Sequence, residues 1–396
     1  MTAKTDNAPT ALSELRRLAR EGLEKRLEQH PDKDTLDREL YRERLEKELR
    51  VIAARQLAEY FLIVQDFINW GKDRGIPVGP GYGATPASLA AWALRITNLD
   101  PIAHTLLFER FLNNERFVFP EIFADFCCRR RPEVIRHIAE KYGEAVVLDT
   151  AGEAVKASIG PMKFRLLHLR TLTVIQDCLD AVAKQGKEVP NLDLLPLTDA
   201  VTYKLFAKGD TKGVWGMESS GMRQYLRLLK PSCFEDLTAM LALYRPNPLR
   251  AGMMEEFIRR KRGELPVTYP LPILEDCLRD TYGLILYPEQ MMRIAQIVAG
   301  YTLEQADLLR ANMVKQNVEA QERAHFVDGA GAIGIKKKKA NEIYALMEKF
   351  VPSTFPKAHV TAYALISYHS AYLKTHFRAE FMAALDPENR ARVAAP

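Results

Sequence analysis

Cysteine is scarce in this 396-residue chain and poorly placed for chemistry. Cys127, Cys128, Cys178, Cys233 and Cys277 include no C-x-x-C pair and no histidine spacing suited to zinc, and the adjacent Cys127 and Cys128 cannot readily bridge. That usage predicts a reducing, cytoplasmic setting. Long apolar runs are missing too: none approaches the roughly 18 to 20 residues a membrane helix needs, so no membrane role is expected. The opening residues, MTAKTDNAPTALSELRRLAR, are charged and lack an apolar h-region, which argues against a secretory signal, and their acidic members argue against a mitochondrial presequence. Net charge is small, with 56 Lys and Arg against 51 Asp and Glu; the resulting +5 permits a polyanion partner without announcing one. There is no internal repeat, and the lysine run 336–339 is the one low-complexity stretch. Apolar residues, by contrast, are plentiful: 47% of the chain is enough for a sizeable core and two or three domains, and it excludes a disordered protein.

The first ten residues read as loose, and Ala11 to Gln29 reads as a Glu- and Arg-rich helix interrupted by Pro31. From Leu36 to about Gly71, Leu40, Leu45, Leu49, Ile52, Leu57 and Phe61 recur at helical steps and predict an amphipathic helix pair. An extended piece, Ile76 to Val78, then leads into the glycine-rich turn Gly79-Pro-Gly-Tyr-Gly-Ala84. Thr85 and Pro86 are expected as N-cap and N1 of a helix reaching about Leu94. Phe117 to Phe126 alternates aromatic and acidic residues and predicts a strand despite Pro120. Arg129 to Tyr142 reads as helix ending at Gly143, residues 151–162 show little periodicity, and Met162 to Leu169 is a second strand candidate before a helix from about Thr171 to Lys184. Beyond the proline-punctuated stretch 190–196 the pattern is helical nearly to Leu385.

Four features carry candidate chemistry. The glycine-rich turn opening a helix offers backbone N–H groups to an anion, although it matches neither a Walker motif nor the dinucleotide fingerprint, and a plain turn is the simpler account. On the first strand Glu121 and Asp125 share a face, but Phe123 lies between them. Two-metal phosphoryl transfer needs carboxylates converging on cations about 3.5–4 Å apart, and an aromatic ring in the ligand row works against it. Basic clusters at Arg129, Arg130 and Arg131, and at Arg259 and Arg260 within the run 259–262, read either as solvated faces or as polyanion contacts. Lys357 and His359, expected just before a helix, could face a phosphate.

Several stretches together resemble one family: YFLIVQDFINWGKDRGIPVGPGYG, LLFERFLN, RTLTVI, GDTKGVWGMESSGMR, FEDLTAMLALYRPNPLRAGM, TYGLILYPEQMMRIAQIVAGYTLEQADLLR and AYALISYHSAYLKTHFRAEFMAAL. Residues 47–143 and 156–385 are similar to the catalytic core of the bacterial replicative DNA polymerase III alpha subunit, the C-family polymerases. The resemblance implies an α+β chain, with a small polymerase-beta-like nucleotidyltransferase palm sheet and a large, mainly helical fingers region. It divides the chain into an N-terminal helical segment (1–46), a reduced palm (47–185), fingers (186–385) and a loose tail (386–396). The family's thumb insertion is expected to be missing near 152–156.

The resemblance also shows departures. The family's Gly-Ser turn, which holds the incoming triphosphate, here reads Gly83-Ala84, and Tyr82 stands where Arg is usual; Gly81 and Gly83 could still serve as a backbone cradle. The metal-binding pattern Pro-Asp-x-Asp-x-Asp-Phe becomes Pro120-Glu121-Ile122-Phe123-Ala124-Asp125-Phe126, so Glu121 replaces the first ligand, Phe123 the second, and Asp125 matches a third acid that is not a principal ligand. The last catalytic aspartate has become Arg165, two residues after Lys163, and Arg165 is expected to pair with Glu121 in place of metal charge. In the fingers, Arg245, Lys315, Lys357 and His359 fall on positions resembling the family's phosphate contacts, with Asn247, Val314, Gln316, Pro356 and Ala358 departing around them. The expected function is therefore an impaired or inactive polymerase-like protein that keeps a nucleotide- or DNA-binding scaffold, with no cofactor expected. Two alternatives are an active DNA polymerase core using Mg²⁺ and a structural protein without a nucleotide site.

Overall fold

The computed structural model describes residues 10–116, 119–143, 146–149, 155–159, 162–315 and 320–385. The expectations for the loose first residues, the start of the first strand at Phe117 and Val118, the shortened link at 150–154, Gln316 and the tail 386–396 fall outside them. The chain forms two compact units, one of Met1–Leu112 with Phe119–Thr173, the other of Asn113–Val118 with Val174–Pro396.

In the first unit, α1 (Ala11–Gln29), α2 (Arg38–Ala54) and α3 (Ala58–Asp73) follow the apolar periodicity closely, burying Leu15, Ala19, Leu23 and Leu27 on α1 and Leu45, Leu49 and Ile52 on α2. The short α4 (Leu89–Ala93) is followed by β1 (Ile122–Phe126), α5 (Arg131–Tyr142), β2 (Val146–Asp149), β3 (Val155–Ile159), β4 (Met162–His168) and α6 (Arg170–Lys184), the last crossing into the second unit. The sheet order is β1-β4-β3-β2, with β1 and β4 parallel and the other pairs antiparallel. A small sheet with a surrounding helical majority is the α+β class that the sequence implies.

Tyr60 on α3 fixes which face of the sheet is covered. Its hydroxyl donates to the Lys163 carbonyl (3.0 Å) and accepts from the Ile122 N–H (2.7 Å), and its ring stacks on Phe164 at 5.1 Å. Ile122, Ala124 and Phe126, with Phe164 and Leu166, therefore point into the core, and the alternate residues face away from it.

Three sequence expectations are corrected. Among the described residues β1 begins at Ile122, so the stretch 119–121 expected within the first strand is not part of it; Pro120 has no N–H to give a ladder. Residues 155–159 form β3, pairing with both neighbours, in a stretch whose sequence shows little periodicity and was not read as strand. The helix after the glycine-rich turn is capped by Ser88, whose side chain accepts from Ala91 N–H, and not by Thr85; residues 85–87 make only a 3₁₀ turn.

That short helix holds a buried carboxylate. Glu48 on α2 accepts from the N–H groups of Leu89 and Ala90 (both 3.0 Å), from Ser88 Oγ (2.8 Å) and from Arg44 Nε (2.7 Å). Burial pushes its carboxyl upward, while Arg44 and the two amides favour the charged form. Replacing one acceptor oxygen by an NH₂ group leaves donors facing a donor, so Glu48→Gln is expected to destabilise this unit by about 1–3 kcal/mol, read as a shift of the urea midpoint without a change of slope.

The second unit is helical: α7 (Ala200–Lys208), α8 (Ser220–Leu229), α9 (Phe234–Leu243), α10 (Pro246–Arg250), α11 (Met253–Lys261), α12 (Glu275–Leu278), α13 (Pro288–Ala299), α14 (Leu303–Val314), α15 (Ala320–Ala332), α16 (Lys337–Phe350), α17 (Lys357–His376) and α18 (Arg378–Leu385). The 20-residue α17 runs through its centre, with Tyr368 and Leu373 fully buried and the Lys374 ammonium held by Asp210 Oδ1 (2.9 Å) and the carbonyls of Asp210 and Lys212. No helix among the described residues is long and apolar enough to cross a membrane.

Candidate functional site

The face of the sheet turned away from Tyr60 carries Glu121, Phe123 and Asp125 from the β1 side and Lys163 and Arg165 from β4. Parallel register sets Phe123 opposite Arg165. Arg165 reaches across to Glu121 with two donors, Nε to Oε1 at 2.6 Å and Nη2 to Oε2 at 3.3 Å, the pairing that the family resemblance implies. The guanidinium carbon lies 5.0 Å from the Phe123 ring centre, and Phe123 in turn stacks on Tyr82 of the glycine-rich turn, 5.0 Å apart and 23° from parallel. The hydrogen bond to Glu121 raises the already high pKa of Arg165 further. The result is a carboxylate, a guanidinium and two rings in a continuous stack across the sheet face.

Asp125 lies beyond Phe123 and is almost fully buried, its Oδ2 without a hydrogen-bond partner. Burial alone pushes its carboxyl up to about 7. Tyr82 is likewise raised, by burial first and the nearby Asp125 charge second. Lys163 is exposed on the same face as Arg165.

In the glycine-rich turn both candidate positions need glycine. Gly81 has φ +140°, and a Cβ there would meet Pro86 Cγ at 2.6 Å; Gly83 has φ +64° with open space where a side chain would stand. The nearest helix start cannot serve as an anion site, because Glu48 occupies the first amides of α4.

In the second unit Arg245, at the N-terminus of α10, packs over the Phe355 ring at 4.0 Å and donates to the Thr354 carbonyl at 3.4 Å; burial lowers its pKa. Phe355 meets His359 edge-on at 5.3 Å, His359 meets Tyr363 at 4.5 Å, and Tyr363 meets Trp215 at 4.2 Å. His359 is held near 4 by burial and by Arg245, so at neutral pH it offers an N–H and a lone pair rather than a charge. Lys357 and His359 lie inside the first turn of α17, not before it as the sequence suggested. The Lys357 N–H donates to both oxygens of Glu289 (3.1 Å each), its ammonium sits 5.9 Å from the Tyr287 ring, and burial lowers its pKa. The structure thus gathers Arg245 and His359 into one cluster, with Lys357 two residues from His359. Lys315 is exposed at the C-terminus of α14.

The arginine clusters are partly committed to backbone. Arg130 donates to the carbonyls of Arg74 and Gly75 and pairs with Glu133, Arg131 donates to the Leu166 carbonyl, and Arg260 binds Glu256 and the carbonyl of Tyr282, a residue held at φ +51°. Arg129 and Arg259 are exposed. The Tyr82, Phe355, Tyr363 and Trp215 rings, which complete both clusters, were not singled out as contacts from sequence; aromatic residues close to the candidate cations were the available signal.

Residues 13–191 match the model of the bacterial DNA polymerase III alpha NTPase domain, and residues 171–334 that of the bacterial DNA polymerase III alpha subunit finger domain. The DNA polymerase III alpha subunit of Pseudomonas aeruginosa PAO1 is 38% identical over 496 positions, which take in 94% of this chain and 42% of the relative. That of Escherichia coli K12 is 36% identical over 502 positions, 95% of this chain and 43% of the relative. The chain spans less than half the length of either relative. Because each alignment has at least one hundred more positions than the chain has residues, each relative also carries segments with no counterpart here. The chain belongs to the bacterial DNA polymerase III alpha-subunit family.

Proposed function

We propose that the chain is a DNA polymerase III alpha-family protein that has lost nucleotide addition and keeps a scaffold that binds nucleotide phosphates or nucleic acid. The observation that carries this reading is the bidentate Glu121–Arg165 pair over Phe123, at the positions where the family resemblance implies metal-binding aspartates. Phosphoryl transfer depends on metal charge and positioning, and a cation with a ring in the ligand row supplies neither. In this reading residues 47–185 are a reduced palm whose thumb insertion is missing near 152–156, and 186–385 are fingers. Glu121, Asp125 and Arg165 are remnants of the catalytic set. Gly81, Gly83 and Lys163 in the first unit, and Arg245, Lys315, Lys357 and His359 in the second, are the phosphate contacts, and Arg129 and Arg259 are outlying nucleic-acid contacts.

Equilibrium binding of a fluorescent deoxynucleoside triphosphate tests the scaffold. Binding is expected to weaken by on the order of tenfold or more in Arg245→Ala, a change equivalent to removing one charge-assisted hydrogen bond. A second reading, a structural protein without a nucleotide site, is favoured by one observation: Glu48 and Glu289 already occupy the backbone donors of α4 and of Lys357. Absence of measurable nucleotide binding at millimolar concentration would select it.

A further inference from the structure

The family resemblance implies divalent cations on the sheet face, and the residues present do not fit them. Among the described residues no group of three or more His, Cys, Asp or Glu side chains is placed to hold a metal ion. Both oxygens of Glu121 are already engaged by Arg165. Asp125, the other acid of the face, is buried behind Phe123, and the Phe123 ring fills the intervening ligand position with carbon. A cation approaching Glu121 would meet a fixed guanidinium and, two residues along β4 on the same face, the ammonium-bearing Lys163.

We infer that this face has exchanged its divalent cations for an internal one, the Arg165 guanidinium held by Glu121 and stacked on Phe123 and Tyr82, and that phosphate ligands of the chain bind without a metal. The second half of the inference rests on the phosphate-binding reading above; the first half does not. A hard divalent ion needs several oxygen ligands and gives up its water reluctantly, so one carboxylate already paired is a poor exchange for its hydration shell. The guanidinium, by contrast, is a permanent charge whose planar fork matches one carboxylate. Its cost of leaving water is reduced because the pair stays partly solvent-exposed.

Two measurements decide the matter. Titration of the full chain with Mn²⁺, followed by the electron paramagnetic resonance signal of free aquo-Mn²⁺, is expected to show no bound ion at up to millimolar concentration. Stoichiometric binding that disappears in Glu121→Ala would overturn the inference. The double substitution Phe123→Asp with Arg165→Asp, which restores the acidic row beside Glu121, is expected to create a Mn²⁺ site. Nucleoside triphosphate affinity is expected to agree within about threefold between EDTA and excess Mg²⁺; a tenfold gain with Mg²⁺ that Glu121→Ala abolishes would again overturn it. If no nucleotide binds under either condition, the phosphate-binding reading fails, and the Mn²⁺ titration still decides the fate of the metal site.

Discussion

Primer extension by this chain is expected to give no template-directed product above that of its Glu121→Ala variant, in Mg²⁺ or in Mn²⁺. The size of the effect follows from what the sheet face has exchanged. Removing a single preorganised donor from a transition-state charge costs on the order of 10²–10³ in rate, and removing one cationic group from phosphoryl transfer on the order of 10³–10⁵. In the proposed reading, one position that the family resemblance implies for a metal ligand holds the Phe123 ring and another holds Arg165, which pairs with the neighbouring acid Glu121. A deficit of at least about 10⁴-fold against a full-length alpha subunit is therefore expected. Glu121→Ala is the informative control, since any polymerase carried over from an expression host would contribute equally to both preparations. Product that depends on Glu121 would show that the face still works as a catalyst and would end the inactive reading.

The same residues show what a sequence can and cannot disclose. The helix α1 was legible as a Glu- and Arg-rich run, and α2 and α3 because their apolar spacing is long and regular, since local periodicity dominates where many turns repeat it. The Glu121–Arg165 contact was legible from the family resemblance, which implies that the two residues lie on adjacent strands, together with their complementary charges. β2 and β3 escaped because each is only four or five residues long, and little more than Val146-Val147-Leu148 and Val155 marks them; β3 is ordered by pairing with β4 and β2 by pairing with β3, a cause that lies in the ladder rather than in either segment. Glu48 was invisible for a different reason. In the run Arg-Leu-Glu-Lys-Glu-Leu it looks like one more solvated charge, and only the return of the chain at Ser88, forty residues later, makes it the cap of α4. Arg130, Arg131 and Arg260 are similar: basic runs read as surface charge, yet these guanidiniums bind carbonyls, those of Arg74, Gly75 and Tyr282 in turns and that of Leu166 in β4. Sequence patterns register periodicity well, whereas the use of a single polar side chain is settled by what the fold brings beside it.

Asp125→Asn is expected to stabilise the protein at pH 8 and to leave it nearly unchanged at pH 4. The Asp125 carboxyl is buried, has an oxygen without a partner and titrates near 7, against 3.8 in the open chain. The sign is the reverse of the usual one for an acid. Below the unfolded value both states carry the proton and the burial costs nothing extra. Between about 4 and 7 the unfolded chain releases its proton while the folded one keeps it, so stability falls as pH rises, by about 1.4 kcal/mol per unit. Above 7 the folded protein must hold a buried carboxylate that no cation offsets against its burial, and the accumulated penalty levels off on the order of 4 kcal/mol. Asparagine keeps the shape and has no charge to bury, so the penalty disappears, less what its unpaired amide costs. Urea denaturation at pH 4, 6 and 8 checks this: the midpoint difference between Asp125→Asn and the parent should open progressively with pH. A constant difference, or a variant weaker at pH 8, would mean that Asp125 stays ionised with a partner in the folded chain. In that event the acid row of the sheet face retains more of its charge than the Phe123 and Arg165 replacements imply.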